Sequence, residues 1–313
     1  MESPTLLDTI GETHLVELRH MSPPGDARIF AKLEGQNPTG SLKDRIAKTM
    51  IEKAEREGRL DSSMTILEPT SGNTGISLAF VARLKGYKVK VVMPDNVSPE
   101  RTQLLEAYGA EIVYSEGSNG TNGSIVVAQQ VMEQSKKGTY FMPYQYGNEA
   151  NPGAHYETTG AEIIRAVPDV DVFLAGLGTG GTLMGVGRRL REHRKEVKII
   201  AVAPEPDETI QGLRDLEEGF VPPILDLSLL DARIMAKTLD AFRGTRELLR
   251  KEGIFAGISS GSVIWAAMKV AEKMKKGKIV CLLADGGWKY LSTGLWSSDL
   301  EQMESKTRGK IWW

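Results

Sequence analysis

Two periods of apolar and polar residues alternate along the chain. Arg28-Ile29-Phe30-Ala31-Lys32-Leu33 alternates residue by residue, as a strand does, while Ile46, Ala47, Met50, Ile51 and Ala54 share one face of a helix running towards Gly58. The pair then recurs. Thr65-Ile66-Leu67-Glu68 predicts a short strand and Ile76 to Leu84 an apolar helix. Lys88 to Met93 reads as a strand ended by Pro94, and about Pro99 to Tyr108 as a helix with Pro in its first turn and Gly109 past its end. Glu111 to Tyr114 predicts a strand, Gly117, Gly120 and Gly123 a loop, and Ser124 to Lys136 a helix.

After Asn151-Pro152 the alternation resumes with a helix from about Thr159 to Ala166, a strand Val172 to Ala175, a helix Thr182 to His193 and a strand Lys198 to Val202. A segment rich in Pro and acids, Pro204 to Asp231, predicts no regular element. Helices at about Leu239 to Glu252 and Ser262 to Lys276, with a strand through Cys281, complete the series. Repeated βα units predict an α/β fold of two doubly wound parallel sheets covered by helices, with ligands bound beyond the carboxyl ends of the strands.

Bulk properties narrow the function. At 313 residues there is core enough for one large or two ordinary domains. A net charge of -2 gives no electrostatic case for nucleic acid or an anionic membrane as partner. No apolar run approaches ~18 residues, so no membrane span is expected. The first residues show no signal peptide, which makes the cytoplasm the default location. The single cysteine, Cys281, lies in the apolar run 279–283 and reads as an inert core residue. His14, His20, His155 and His193 fit no metal-ligand spacing, so no metal is expected; their contexts suggest loops and helix surfaces.

Four loops carry residues suited to chemistry. In Asn37-Pro38-Thr39-Gly40-Ser41-Leu42-Lys43-Asp44-Arg45, a Pro turn and a Gly precede a lysine at a helix start. The positive end of a helix dipole disfavours an ammonium ion there, which suits a Schiff-base lysine; the residues alone equally allow a surface lysine. Gly176-Leu177-Gly178-Thr179-Gly180-Gly181-Thr182 follows a strand and opens a helix, so converging N–H groups and two hydroxyls make a phosphate site. The same string satisfies G-x-G-x-x-G, and Glu205 stands about where a ribose contact would, so spacing leaves a dinucleotide enzyme as a rival. Pro69-Thr70-Ser71-Gly72-Asn73-Thr74-Gly75 offers hydroxyls and amides to a carboxylate, or a cluster of helix caps. Gly257-Ile258-Ser259-Ser260-Gly261-Ser262 offers a neutral hydroxyl to a ring nitrogen, or again a cap. It also spells G-x-S-x-G, but no His–acid pair stands with it to make a hydrolase.

Taken together and in this order, the four loops resemble those of the cysteine synthase and cystathionine β-synthase family, fold-type II pyridoxal 5′-phosphate (PLP) enzymes. The resemblance spans Leu7 to Gly294 and includes Met93-Pro94 followed by Ser98-Pro99-Glu100-Arg101. It implies a PLP site in the cleft between two α/β domains. These would be a smaller, mobile one over residues 36–150 and a larger one over 1–35 plus 151–313. It implies that Lys43 bears the cofactor and serves as acid–base at the substrate α-carbon. Asn73 would meet the ring hydroxyl, Ser259 the pyridine nitrogen, and Gly178, Thr179, Gly180, Gly181 and Thr182 the phosphate. Thr70, Ser71, Thr74 and Gln145 would bind the carboxylate of the amino-acid substrate. A neutral Ser at the ring nitrogen suits elimination and replacement at the β-carbon better than prolonged carbanion chemistry.

Within that family the segment Gln211 to Pro222, the stretch Ala284 to Tyr290 and the ending Gly309-Lys310-Ile311-Trp312-Trp313 resemble bacterial O-phosphoserine sulfhydrylases of the cysteine-synthase-B type. Arg214 in the first of these is the natural receptor for a phosphoryl leaving group, or else a helix-surface arginine pairing with Asp215 or Glu218. The resemblance implies a homodimer making L-cysteine from O-phospho-L-serine, or from O-acetyl-L-serine, with sulfide, or with a small ubiquitin-like carrier protein ending in a thiocarboxylate, as sulfur donor. Cystathionine β-synthase is the nearest rival and a non-catalytic regulatory protein keeping the fold the more distant one. The Trp312-Trp313 tail would gate the site, meet a carrier, or dock on its own chain or a second subunit.

Overall fold

The computed structural model describes residues 3–300 except Ser71 and Glu218, together with Met303. The Trp312-Trp313 tail lies outside the described residues. In chain order the elements are β1 (Leu15–Glu17), β2 (Asp26–Leu33), α1 (Lys43–Arg56), β3 (Thr65–Pro69), α2 (Asn73–Lys85), β4 (Lys88–Pro94), α3 (Pro99–Ala107), β5 (Glu111–Ser115), α4 (Gly120–Gln134), β6 (Tyr140–Phe141), α5 (Ala150–Ala154), a π-turn (His155–Gly160), α6 (Ala161–Ala166), β7 (Val172–Gly176), α7 (Gly181–His193), β8 (Lys198–Pro204), β9 (Ala232–Ala236), α8 (Thr238–Glu252), α9 (Ile258–Lys273) and β10 (Lys276–Leu283). A 3₁₀ segment, Gly287–Thr293, follows β10.

The strands form two sheets. One has the order β5-β4-β3-β6 and is parallel throughout. The other has the order β1-β2-β10-β7-β8-β9 and is parallel except for β1, which pairs with β2 antiparallel. A parallel neighbour needs a crossover, whereas the short link from β1 to β2 allows only a return in the opposite sense.

Side-chain alternation builds the core of the larger sheet. Ile29, Ala31, Leu174, Ile279 and Cys281 point to one face, with Phe242, Leu248 and Ile264 packed there. Phe30, Phe173, Ala175, Val280 and Leu282 point to the other, against Leu183, Val186 and Leu190 of α7. The smaller sheet packs Ile66, Val89 and Val91 against α1 and α2. Helix α2 is buried all along Thr74 to Ala82, which explains why its sequence lacks a polar stripe.

Several local expectations are corrected. Helix α4 begins at Gly120, four residues before the expected start, so Asn122 and Gly123 are helical and not loop. The helix predicted over 159–166 begins at Ala150. Pro152 sits in its first turn, where no intrahelical N–H is needed, and the π-turn absorbs the extra residues. Helix α9 starts at Ile258 and ends at Lys273, where the strand β10 takes over from Lys276. The short strands β1, β6 and β9 carry too few alternations to register as a pattern.

Each sheet reverses its strand order once. In the smaller sheet β4 and β5 lie on one side of β3 and β6 on the other; in the larger, β8 and β9 lie on one side of β7 and β10 on the other. The loops after β3, β7 and β10 therefore open at the two reversal points, where crevices form in parallel sheets.

Candidate active site

Lys43 opens α1 and is anchored to the larger sheet by the main chain just before it. Leu42 N–H donates to the Ala284 carbonyl at 2.9 Å, Gly286 N–H to the Gly40 carbonyl at 3.1 Å, and Ser41 bridges Asp285. The loop can lie this close because Gly40, at φ +75°, has no side chain: a Cβ there would stand 2.0 Å from the Trp288 ring. Asp44 fixes the loop from within, accepting from Thr39 N–H at 2.7 Å, Thr39 Oγ1 at 2.5 Å and Ser77 Oγ at 2.6 Å.

Lys43 is half-buried and faces a cavity. Burial pulls its ammonium down to about 8, and the carboxylate of Asp285 opposes the fall. The sequence suggests the helix dipole as the agent of this change; desolvation is the larger cause. At that value about one lysine in ten carries a neutral amine at pH 7.

A cavity of about 300 Å³ lies in front of it, lined by Lys43, Thr70, Asn73, Thr74, Gln145, Gly178, Thr179, Arg214 and Ser259 among others. A narrow annex of about 40 Å³ adds Gly180 and Thr182. The expected residues thus converge from all four loops and from the 211–216 turn. Gly181 lies behind the wall, and Ser71 is outside the described residues.

The annex has the form of an anion cradle. Gly180 is left-handed at φ +86°, and α7 begins directly after it. A Cβ on Gly178 would come 3.0 Å from the Gly212 carbonyl, and one on Gly181 would strike Asn151 Oδ1 at 1.9 Å. Asn151 Nδ2 ties the loop down, donating to Thr179 Oγ1 at 3.1 Å and to the Gln145 carbonyl at 2.9 Å. A phosphate would meet backbone N–H groups, two hydroxyls and the positive end of α7.

On the opposite wall Thr74 Oγ1 donates to Gln145 Oε1 at 2.6 Å. Gln145 is positioned in turn by buried Glu68, which accepts from Tyr144 N–H at 2.8 Å and Gln145 N–H at 2.9 Å. Burial pushes the Glu68 carboxyl up to about 8 against those two donors. Neither α2 nor α9 has a side-chain cap bond at its N-cap, so the capping alternatives for these two loops do not account for Asn73 or Ser259.

Arg214 is not on a helix surface. It sits in an irregular loop, only 8% exposed, with its backbone N–H donating to the Leu177 carbonyl at 2.7 Å. Its guanidinium donates to Asn122 Oδ1 at 3.0 Å and lies over the rings of Phe220 and Tyr146, at 4.8 and 5.3 Å. Asp215 instead accepts from Glu217 N–H.

The sequence did not point to several residues of this region. His155 is 1% exposed and no surface residue. Its Nε2 lies 3.3 Å from Thr182 Oγ1 and its Nδ1 3.0 Å from Thr159 Oγ1. Burial holds it neutral, down at about 3. With the proton on Nε2 it donates to Thr182 and leaves that hydroxyl's hydrogen for an anion. Behind Lys43, four charges are buried together: Arg45 pairs with Glu34 at 2.7 Å and Glu162 at 2.6 Å, and Lys32 with Glu162 at 2.5 Å. A Glu at 162 and an Arg at 45 share no sequence pattern that announces such a cluster.

Comparisons with known proteins bear on this geometry. The family profile described as pyridoxal-phosphate dependent enzyme matches residues 6–285. A cysteine synthase of Staphylococcus aureus is 45% identical over 300 residues, 93% of this chain and 96% of that protein. A cysteine synthase structure from Entamoeba histolytica has a TM-score of 0.87 at 35% identity, covering 98% of both chains. A hydrogen sulfide-producing enzyme from Fusobacterium nucleatum has a TM-score of 0.87 at 41% identity, covering 92% of this chain and all of that one. An O-ureido-L-serine synthase has a TM-score of 0.88 at 37% identity, covering 97% of this chain and 100% of that one.

Proposed function

The chain belongs to the pyridoxal-phosphate dependent enzyme family, in its cysteine synthase branch, and we propose from that premise that it makes L-cysteine from O-phospho-L-serine. Its similarity to cysteine synthases, and its use of PLP as they do, support β-replacement on a serine derivative. The site suits the cofactor: a half-buried lysine with a lowered ammonium pKa faces the cavity, and the annex has the glycine-walled form a phosphate needs.

When bound, pyridoxal phosphate supplies an electron sink that allows the substrate's α-carbon to lose a proton and its β-substituent to leave. We assign Lys43 to hold the cofactor and then to exchange the α-proton through its Nζ. Gly178, Thr179, Gly180, Gly181 and Thr182 bind the phosphate. Asn73 meets the ring hydroxyl, and Ser259 presents a neutral hydroxyl to the ring nitrogen. Thr70, Ser71, Thr74 and Gln145 orient the substrate by its carboxylate. A leaving group and then a sulfur nucleophile pass in turn, which predicts ping-pong kinetics. Sulfide or a thiocarboxylated carrier protein serves as donor, and residues 36–150 act as the smaller unit that closes over the substrate in a homodimer.

The observation that carries the choice of leaving group is Arg214. A guanidinium buried on the cavity wall, held among the described residues by a neutral amide and two rings, is costly unless an anion completes it. A phosphoryl group does so with two parallel bonds; an acetyl group leaves the charge uncompensated until it departs. Arg214→Ala should lower kcat/KM for O-phosphoserine by about 100-fold, the equivalent of one or two charge-assisted bonds, and that for O-acetylserine by less than about threefold. Equal losses on both substrates refute the assignment.

A further inference from the structure

Lys289 is a second lysine sealed beside the site, 0% exposed, on the 3₁₀ segment Gly287–Thr293. Its main-chain carbonyl accepts from Ser98 Oγ at 3.1 Å, at the start of α3. Its Nζ donates to Asn73 Oδ1 at 2.7 Å. The other half of the same amide is also taken: Asn73 Nδ2 donates to Asp285 Oδ2 at 2.7 Å, and that carboxylate oxygen accepts from Tyr290 OH at 2.6 Å.

An amide has two acceptor sites and two N–H groups, and its two ends differ only in which atom is placed where. Here the ends are not interchangeable. An ammonium group has no lone pair and must face the oxygen; a carboxylate must face the nitrogen. Lys289 and Asp285 therefore set one orientation of Asn73, and turning the amide over would bring like against like at both ends. With Oδ1 held by the lysine and one N–H spent on Asp285, the second N–H is left to donate to a ligand in the cavity that Asn73 lines.

From this arrangement we propose that Lys289 is a positioning residue that, together with Asp285, fixes the Asn73 amide so that its second N–H faces the cofactor's ring oxygen and favours the ionised, accepting form of that oxygen. The inference rests on the PLP-binding reading of the site given above. Burying a lysine beside the site is costly. Burial does pull Lys289 down to about 8, with Asp285 and Asp44 opposing the fall and Arg101 and Lys43 adding to it. Keeping a lysine here is intelligible if its amine is needed to hold Asn73 Oδ1 in place.

The test reads the absorbance of the bound cofactor, with no turnover involved. Holoenzymes of the wild type, Lys289→Met and Lys289→Gln are compared across about pH 6 to 9. The wild type should keep its long-wavelength band throughout. Lys289→Met leaves Asp285 alone to hold the amide, so on acidification the band should convert to the shorter-wavelength form protonated on the ring oxygen, with a midpoint displaced upward by about one pH unit, the tenfold effect of one lost charge-assisted bond. Lys289→Gln still offers an N–H to Asn73 Oδ1 and should keep the wild-type spectrum. A folded Lys289→Met with an unchanged pH response overturns the proposal. So does Lys289→Gln shifted as far as the methionine variant, and this second outcome decides the matter if Lys289→Met does not fold. Absence of any visible band in the wild type would instead contradict the cofactor reading itself.

Discussion

Glu162→Gln tests how Lys43 is held. Glu162 accepts from Arg45 Nη1 at 2.6 Å, Arg45 Nη2 at 2.8 Å, Lys32 Nζ at 2.5 Å and Glu12 N–H at 3.1 Å. Burial raises its pKa, but the bonds and charges of Arg45 and Lys32 outweigh burial and bring the carboxyl from its ordinary 4.5 down to about 2. At about 1.4 kcal/mol per pKa unit, the difference corresponds to about 3 kcal/mol. Since the folded pKa lies below the unfolded one, this contribution is complete above about pH 4.5 and is lost as pH falls towards about 2. Glutamine removes the charge and leaves Lys32 and Arg45 buried with Glu34 as their remaining carboxylate within the cluster, a loss of about 3 kcal/mol at neutral pH. Urea denaturation of the holoenzyme at fixed cofactor concentration measures this. The gap between wild type and variant should be constant from about pH 7 to 5 and close on further acidification. Lys32→Met added to Glu162→Gln should restore part of the loss by removing the excess cation. A gap below about 0.5 kcal/mol at neutral pH, or one that does not change with pH, would refute the reasoning.

Two further outcomes follow from buried groups. His155→Phe removes the bond to Thr182 in the cradle and should raise the cofactor dissociation constant by about fivefold, the worth of one neutral hydrogen bond; because the wild-type imidazole stays neutral, the ratio should not vary between about pH 5.5 and 8. Equilibrium dialysis of the holoenzyme measures it. Burial pushes the Cys281 thiol up to about 12, so the native protein should resist thiol alkylation and Cys281→Ala should keep its synthase activity, both checked by labelling and steady-state rates.

The parts of the site written in consecutive residues were legible in the sequence. Lys43 stands in a Pro-Thr-Gly turn at a helix start, and the 176–182 glycines announce an anion cradle, because local chain geometry restricts which residues fit there. The alternation of strands and helices was legible for the same reason, since burial on one face imposes a period. What stayed hidden depends on pairs distant in the chain. Asn122 meets Arg214 across 92 residues, Asn73 meets Lys289 across 216, and His155 meets Thr182 only because the π-turn rotates it inward. The buried state of Arg214 was equally hidden. An arginine beside Asp215 and two glutamates looks solvated until Tyr146 and Phe220 close over it.

The most direct measurement of the central claim is a spectral titration of the purified holoenzyme and its Lys43→Ala variant with O-phosphoserine, O-acetylserine and serine. The wild type should show a visible cofactor band that O-phosphoserine converts at the lowest concentration, with cysteine formed once sulfide is added. Lys43→Ala should lack the lysine-bound band and form no cysteine. A Lys43→Ala variant that makes cysteine at the wild-type rate would contradict the account.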